Sequence, residues 1–515
     1  NGIKHWSDIK YPKILSGIAL LLIIVAAINF INLSLARSLQ RTKEIGIRKA
    51  TGSTRWQLFT QFLNEAIFTT CIAAIPAFVL AYSLMPAFSE LTGKYLAPQV
   101  LLSPETLAWY TTLVLLIAII SGGYPAYVMS GFQPIESLKG KALFGTKSTL
   151  RKSLVVFQFT LAGVLMIGTA FLTQQFRYIN SKPLGFETED RYRFWLPWDE
   201  VNEIGENFKG ELRKLNDVEM VSSKSGDFNM TKYRIDGEET DWIYYEHIDD
   251  HHLQLMGIPL VSGRYFSKEY ALDTVSNIIV NESFIKTILP KNVDPLQHPL
   301  KSSENTYNIV GVVKDHFYAG FKEKIGPMVF ILDRGAEAGM VHVKVKEGRS
   351  KEAFAAIQSI YKKFVPFLPI KLESLEDFKL ERYAEEIREK KIVTYTAILA
   401  IIIACLGLFG LATFMTEQRI KEIGIRKVLG ANAAGIAVLL SKDFIRLVII
   451  SIIIAMPIGY YFVNKWLENF TYRIEIEWWI FAVVALAAVV IAFFTVFYQS
   501  VRASLADPVE SLRTE

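Results

Sequence analysis

Apolar and polar positions are not mixed evenly along this chain. Long apolar runs crowd both ends, and a polar stretch with shorter patterning fills the middle. A hydrocarbon core about 30 Å thick is crossed by roughly 20 apolar residues in helical form. Seven runs meet that length: Ile14–Ala36, Phe62–Phe88, Thr106–Met129, Leu154–Phe176, Ile392–Met415, Gly435–Val463 and Trp478–Val501. Pro76, Pro125 and Pro457 fall inside runs, which membrane helices tolerate when neighbours satisfy the freed carbonyls. Between the fourth and fifth runs the pattern changes. Ser276–Val280 and Asn308–Val313 are β-branched and predict strands, and Gly257, Pro259, Gly263, Pro290 and Gly311 punctuate them. Glu203–Leu215 and Glu352–Phe364 predict helices. This middle reads as a mixed α+β domain of about 200 residues, large enough for its own core. Polar helical stretches, Gln174–Asn180 and Leu375–Lys391, bracket it as either solvated ends or rigid stalks. The expected fold class is an α-helical membrane protein of about seven transmembrane helices in two repeats, with an inserted α+β domain.

Charge sets the orientation. Arg37, Arg41, Lys43, Arg48, Lys49 and Arg55 follow the first run; Lys139, Lys141, Lys147, Arg151 and Lys152 precede the fourth. Arg419, Lys421, Arg426 and Lys427 follow the fifth, and Arg502 and Arg513 follow the seventh. The alternate connections, Ser89–Glu105 and Asn464–Glu477, are poor in Lys and Arg. The basic connections all fall on one side, which is therefore cytoplasmic. Asn1–Lys13 and Arg177–Lys391 then lie outside. The composition, 51% hydrophobic and 13% aromatic over 515 residues, fits a bilayer protein. A net charge of +5 indicates no nucleic-acid surface. The two cysteines, Cys71 and Cys405, sit in apolar runs, so no disulfide framework is expected.

One stretch occurs twice. Lys43–Lys49 (KEIGIRK) returns unchanged at Lys421–Lys427, inside the longer frames Arg41–Gly52 and Arg419–Gly430. A shift of 378 positions superposes them and lays the first run on the fifth. The tails repeat too: Gln133–Lys139 resembles Asp507–Arg513. Each half thus holds three spans, and the second half has a further span and an outer domain ahead of its three. The repeat predicts a parent protein with eight spans and two outer domains. The expected layout is 1–13 as the end of a first outer domain, 14–140 as the first three-helix unit, and 141–176 as a cytoplasmic linker with the fourth span. Residues 177–391 form the outer domain with its stalks, and 392–515 the second three-helix unit.

Within the repeated stretch, Glu44 precedes Arg48 by four residues, as Glu422 precedes Arg426, an order that supports a helix. Gly52 and Gly430 suit the left-handed residue past a helix end. Ser53 or Thr54, and Asn432, can cap the next helix. The motif is therefore expected to be a short amphipathic helix at the inner membrane face. Ile45, Ile47, Ile423 and Ile425 serve as apolar anchors, and Arg48, Lys49, Arg426 and Lys427 carry charge to water or to a partner. Membrane topology needs only positive charge. Keeping Glu, Gly and both Ile in register implies a shaped socket, supplied by a partner with two equivalent sites.

No catalytic pattern competes. The chain contains no GxxxxGK[ST], no HExxH and no CxxC, so no cofactor, metal or catalytic residue is expected. Asp249-Asp250-His251-His252 is read as a solvated outer loop, because adjacent residues rarely point together. Among the polar groups in the runs are Asn29, Asn32, Gln158, Lys442, Asp443 and Arg446. Lys442–Arg446 lie near the inner end and snorkel or pack between helices. Without ionisable groups at mid-depth, a secondary transporter is disfavoured.

The E-I-G-[IV]-R-[KR]-x-x-G pattern after an inward-running span resembles the FtsX-like permease family, the MacB-type (type VII) ABC transporter permeases. Leu255–Phe266, Ile279–Phe284 and Ile309–Asp315 resemble, in that order, the MacB-type periplasmic core domain. The two-copy layout is similar to fused permeases of this family. The resemblance implies a protein of the bacterial inner membrane with its large domain in the periplasm. It implies that a separate cytoplasmic ABC ATPase dimer is the partner. Glu44, Ile45, Gly46, Arg48, Lys49 and Gly52 would dock one ATPase subunit, and Glu422, Ile423, Gly424, Arg426, Lys427 and Gly430 the other. ATP-driven closure would move the spans and, through the stalks, the periplasmic domain, for export of peptides, antimicrobials or lipoproteins. A periplasmic adaptor and an outer-membrane channel are further partners under this reading. The alternative within the family is a signalling or regulatory protein that senses a ligand or activates an envelope hydrolase.

Overall fold

The computed structural model describes residues 10–93, 96–131, 144–226, 229–232, 234–235, 238–291, 293–301, 306–317, 324–333, 339–377, 384–418 and 433–504. The second copy of the motif, both repeated tails and most of 1–13 lie outside these residues. The chain divides into two compact units, one taking Asn1–Gln175, Glu386–Leu467 and Glu475–Glu515, the other Phe176–Glu385 and Glu468–Ile474.

The first unit is helical. Its elements are α1 (Lys10–Gln40), α2 (Thr42–Ala50), α3 (Arg55–Thr92), α4 (Pro104–Ser130), α5 (Phe144–Ser181), α6 (Ala384–Gln418), α7 (Ala433–Leu467) and α8 (Trp478–Ser504). All but α2 contain a stretch long and apolar enough to cross a membrane, and these stretches match the seven expected runs. The ends are chemically marked. Thr54 opens α3 and Ser103 opens α4, with Pro104 at its first position, and Gly93 closes α3 in the left-handed region. Lipid tails are as apolar as the side chains, so close packing rather than water exclusion joins such helices. Accordingly Val155 and Phe159 of α5 pack with Leu408 of α6, Phe444 and Ile452 of α7, and Ala492 and Val496 of α8. Thr160 donates to the Ser451 carbonyl at 3.2 Å, and Gln158 to the Ile403 carbonyl at 3.2 Å. In the first repeat, the Tyr110 hydroxyl of α4 donates to the Ala74 carbonyl of α3 at 2.6 Å.

The second unit is the α+β domain. Its main sheet runs in the order Glu373–Ser374, Arg191–Trp195, Met340–Val345, Val218–Lys224, Ile243–Ile248, Met328–Leu332, Asn277–Asn281, Thr306–Val313 and Leu260–Gly263. The two strands expected from β-branched runs, now Asn277–Asn281 and Thr306–Val313, lie side by side and parallel. Helices Trp198–Arg213 and Ser350–Phe364 realise the two predicted helices. They share one face of the sheet, where Phe194, Phe208, Leu212, Val343, Ile357 and Tyr361 form a core. Leu253, Leu255, Phe266 and Phe330 belong to a separate core.

Candidate functional site

The repeated motif folds as α2, a two-turn helix between α1 and α3. Arg41 separates it from α1, and the Ile45 amide donates to the Arg41 carbonyl at 3.0 Å. At its far end the Gly52 amide donates to Lys49 and the Ser53 amide to Arg48, a Schellman closure. Gly52 takes φ +102°, which a side chain would strain. Of the two cap candidates, Thr54 makes the bond: its hydroxyl accepts from the Gln57 amide at 3.3 Å, and the Gln57 side chain accepts from the Thr54 amide at 2.9 Å. This is a capping box.

The side chains divide sharply between two faces. Ile45 is 1% exposed and packs on Leu58, Met129 and Phe62, and Gly46 is buried beside it. Ile47, by contrast, is 57% exposed. The two isoleucines therefore do not share a face: Ile45 seats the helix on its own bundle and Ile47 points outward. Residues two apart sit about 200° around a helix and cannot share a face. Glu44 and Arg48 form the expected pair at 2.7 Å, and Arg48 also donates to Gln61 Oε1 at 2.8 Å. One Arg41 guanidinium nitrogen donates to both carboxylate oxygens of Glu65, at 2.9 and 2.8 Å. A cavity of about 130 Å³ beside this pair is lined by Ser34, Phe62, Thr69, Gly122 and Met129 among others. Partial burial, and then the nearby Arg55, lower the pKa of Lys49. Arg55 itself lies over the Tyr127 ring, 4.7 Å from its centre. Trp56, 70% exposed and stacked on Phe59, belongs to the same surface and was missed from sequence. A tryptophan next to a basic residue at the membrane face was the available signal. Glu422, Ile423, Gly424, Arg426, Lys427 and Gly430 lie outside the described residues.

In the α+β unit, the Asp249–His252 stretch is not the solvated loop expected. Asp249 and His252 are 5% and 3% exposed. Asp249 accepts from the Ser223 amide at 2.8 Å and from Lys209 at 3.3 Å, while Lys209 donates to Ser223 Oγ at 2.7 Å. His252 Nδ1 sits 2.9 Å from Ser222 Oγ and its ring meets His342 edge-on. Burial pushes both His252 and His342 well below the usual histidine range. These groups bind each other, and among the described residues no cluster of three His, Cys, Asp or Glu could hold a metal. The three outer motifs are structural. Gly263 and Gly311 lie where an added Cβ would meet a backbone carbonyl oxygen at 2.3 Å, Arg264 grips Asp273 through two 2.7 Å bonds, and Asp315 accepts from the Ser283 amide and hydroxyl.

Together these features define a multi-pass inner-membrane protein with a periplasmic α+β domain and a short capped helix, α2, between its first two spans. Comparison with known proteins agrees. The FtsX-like permease C-terminal family model matches residues 16–134 and 395–508, and the MacB-like periplasmic core domain model matches 152–360. The chain belongs to the FtsX-like, MacB-type permeases. The macrolide export ATP-binding/permease protein MacB of Bdellovibrio bacteriovorus is 34% identical over 126 residues, 24% of this chain and 19% of that protein. The uncharacterized ABC transporter permease YknZ of Bacillus subtilis is 32% identical over 131 residues, 24% of this chain and 31% of that one. The matched stretches thus span less than a third of either relative. Among solved structures, the periplasmic region of MacB from Actinobacillus actinomycetemcomitans aligns at 14% identity and a TM-score of 0.31, over 39% of this chain and 96% of that one.

Proposed function

We propose that this chain is the membrane subunit of an ABC-type machine whose separate cytoplasmic ATPase dimer docks on the two copies of the repeated helix. Closure of the dimer on ATP is passed through the spans to the periplasmic domain, which acts on cargo there: peptides, antimicrobials or lipoproteins. ATP hydrolysis belongs to the partner. A periplasmic adaptor and an outer-membrane channel complete the path. In this reading residues 14–140 and 392–515 are paired permease units, 141–176 supply a linker and a further span, and 177–391 are the moving domain.

One observation carries the docking claim. The α2 helix is fixed from behind by Ile45 while Glu44 and Ile47 remain exposed and Arg48 is partly so. Lipid headgroups need positive charge only, and would not call for a buried plug, a left-handed glycine and a capping box to hold two turns of helix still. Reversing charge at both Arg48 and Arg426 (R48E with R426E) is expected to abolish co-purification of the ATPase while the protein stays inserted. Gln61→Leu, which removes only the bond inside the chain, is the control. An ATPase still bound to the double variant would reduce the motif to a topology signal.

A further inference from the structure

We infer that α2 moves as one body with α3, and that the Arg41–Glu65 ion pair is the pin that joins them. The consequence for coupling rests on the docking reading above: force arriving at α2 enters the bundle through α3, with α4 behind it at Met129, and not along α1 alone.

Three contacts run from the α2 stretch to α3. The Ile45 plug meets Leu58 and Phe62, Arg48 reaches Gln61, and Arg41 reaches Glu65. Their α3 partners are spaced three or four residues apart, so they line one face of that helix. The turn between the helices is closed on both sides, by the Schellman bonds and by the Thr54 box. The first turn of α3 and α2 therefore share one rigid corner. Arg55, the first residue of α3, extends this corner to α4 through Tyr127.

Glu65 is the informative residue. It lies within the apolar run Phe62–Phe88, where a carboxylate is costly unless compensated. The cation that compensates it stands 24 residues earlier, at the start of the docking helix. The same register recurs. The shift that lays Arg41 on Arg419 lays Glu65 on Asp443, one of the inner-end groups expected to snorkel or pack between helices. Lys442 and Arg446 flank Asp443, so its setting is more crowded, and the pin is tested on the first copy. An exposed surface pair contributes little. This one differs in tying the start of α2 to the face of α3 that the Ile45 plug and the Arg48–Gln61 bond already meet.

The test uses the full-length protein in inside-out vesicles, with trypsin as probe of α2. Cleavage after Arg48 and Lys49 requires α2 to lift away from α3. Glu65→Gln and Arg41→Gln are each expected to speed those cuts about fivefold. The exchanged pair, Arg41→Glu with Glu65→Arg, is expected to return them to the wild-type rate. Unchanged cleavage in both single variants, or an exchanged pair as labile as the singles, overturns the pin. A second arm adds the ATPase. The single variants are expected to retain the subunit but to lose most of its nucleotide-driven displacement of the periplasmic domain. Loss of the subunit from the wild-type protein itself would refute the docking reading, and the trypsin arm would still decide the pin.

Discussion

Replacing Ile45 with alanine should detach α2 without unfolding the bundle. The side chain is 1% exposed against Leu58, Phe62 and Met129, and the substitution removes three carbons from that contact. Truncations of this kind in cores cost about 2–5 kcal/mol. The site lies near the surface and can partly collapse, so the lower half of that range, about 2–3 kcal/mol, is the working figure. What remains is an exposed ion pair at about 0–1 kcal/mol and one hydrogen bond at about 1 kcal/mol. A helix of nine residues does not persist alone in water. The loss therefore appears as local opening, and 2–3 kcal/mol multiplies the open population roughly 30- to 160-fold. Amide hydrogen exchange of the protein in nanodiscs reads this directly. Exchange at the α2 amides should accelerate by about that factor, while amides in the middle of α3 keep their protection. Ile47→Ala, at a position 57% exposed, should leave α2 exchange unchanged. Equal effects of the two substitutions, or an undisturbed α2 in I45A, would show that the helix is not held by this plug.

Two further expectations concern the periplasmic domain. Asp249→Asn removes the negative charge facing Lys209, although Glu206 still reaches that lysine, so the loss should be about 2–4 kcal/mol rather than the full price of an orphaned buried charge. For a domain of this size that lowers the melting midpoint by roughly 5–15 °C in scanning fluorimetry, and an unshifted midpoint would contradict the buried pairing. Acid should weaken the same domain through His252 and His342, whose folded pKa values are depressed chiefly by burial. The unfolded chain then binds more protons below about pH 6.5, so stability is complete above that pH and falls beneath it, at up to about 1.4 kcal/mol per pH unit for each histidine. His342→Gln should flatten the dependence between pH 6.5 and 5, and an equally steep variant would place the sensitivity elsewhere.

Sequence patterning revealed the spans because each must satisfy its own backbone over a fixed thickness, and only a long apolar helix does so. The periplasmic strands Asn277–Asn281 and Thr306–Val313 were legible for a related reason, since strands buried on both faces read as continuous β-branched runs. Their parallel pairing was not legible, because register and neighbour order depend on contacts distant in the chain. The Asp249–His252 stretch misled because polarity suggested water, whereas Lys209, forty residues earlier, supplies the compensating charge. On α2 the helix, its left-handed closure and the Glu44–Arg48 pair followed from local spacing. The choice of which isoleucine turns inward did not, since it depends on where α3 and α4 stand. Arg41 looked like one more topology charge until Glu65 was found against it.

The two copies of the motif are identical over Lys43–Lys49 and Lys421–Lys427, and the residues after them are only partly matched. Under the same shift, Leu58 and Phe62 correspond to the equally apolar Ile436 and Leu440. Thr54 corresponds to Asn432, a second good capping residue, and Glu65 to Asp443. Gln61, however, corresponds to Leu439, and Trp56 to Ala434. A leucine side chain has no acceptor of the kind by which Gln61 engages Arg48, and alanine has none of the ring area of tryptophan. The residues that recur in kind are therefore those that supply plug, cap and acid in the first copy. The residues that vary are Gln61, which in the first copy accepts from Arg48, and the exposed Trp56. Under the docking proposed above, these differences would let two identical ATPase subunits bind the two copies with unequal strength.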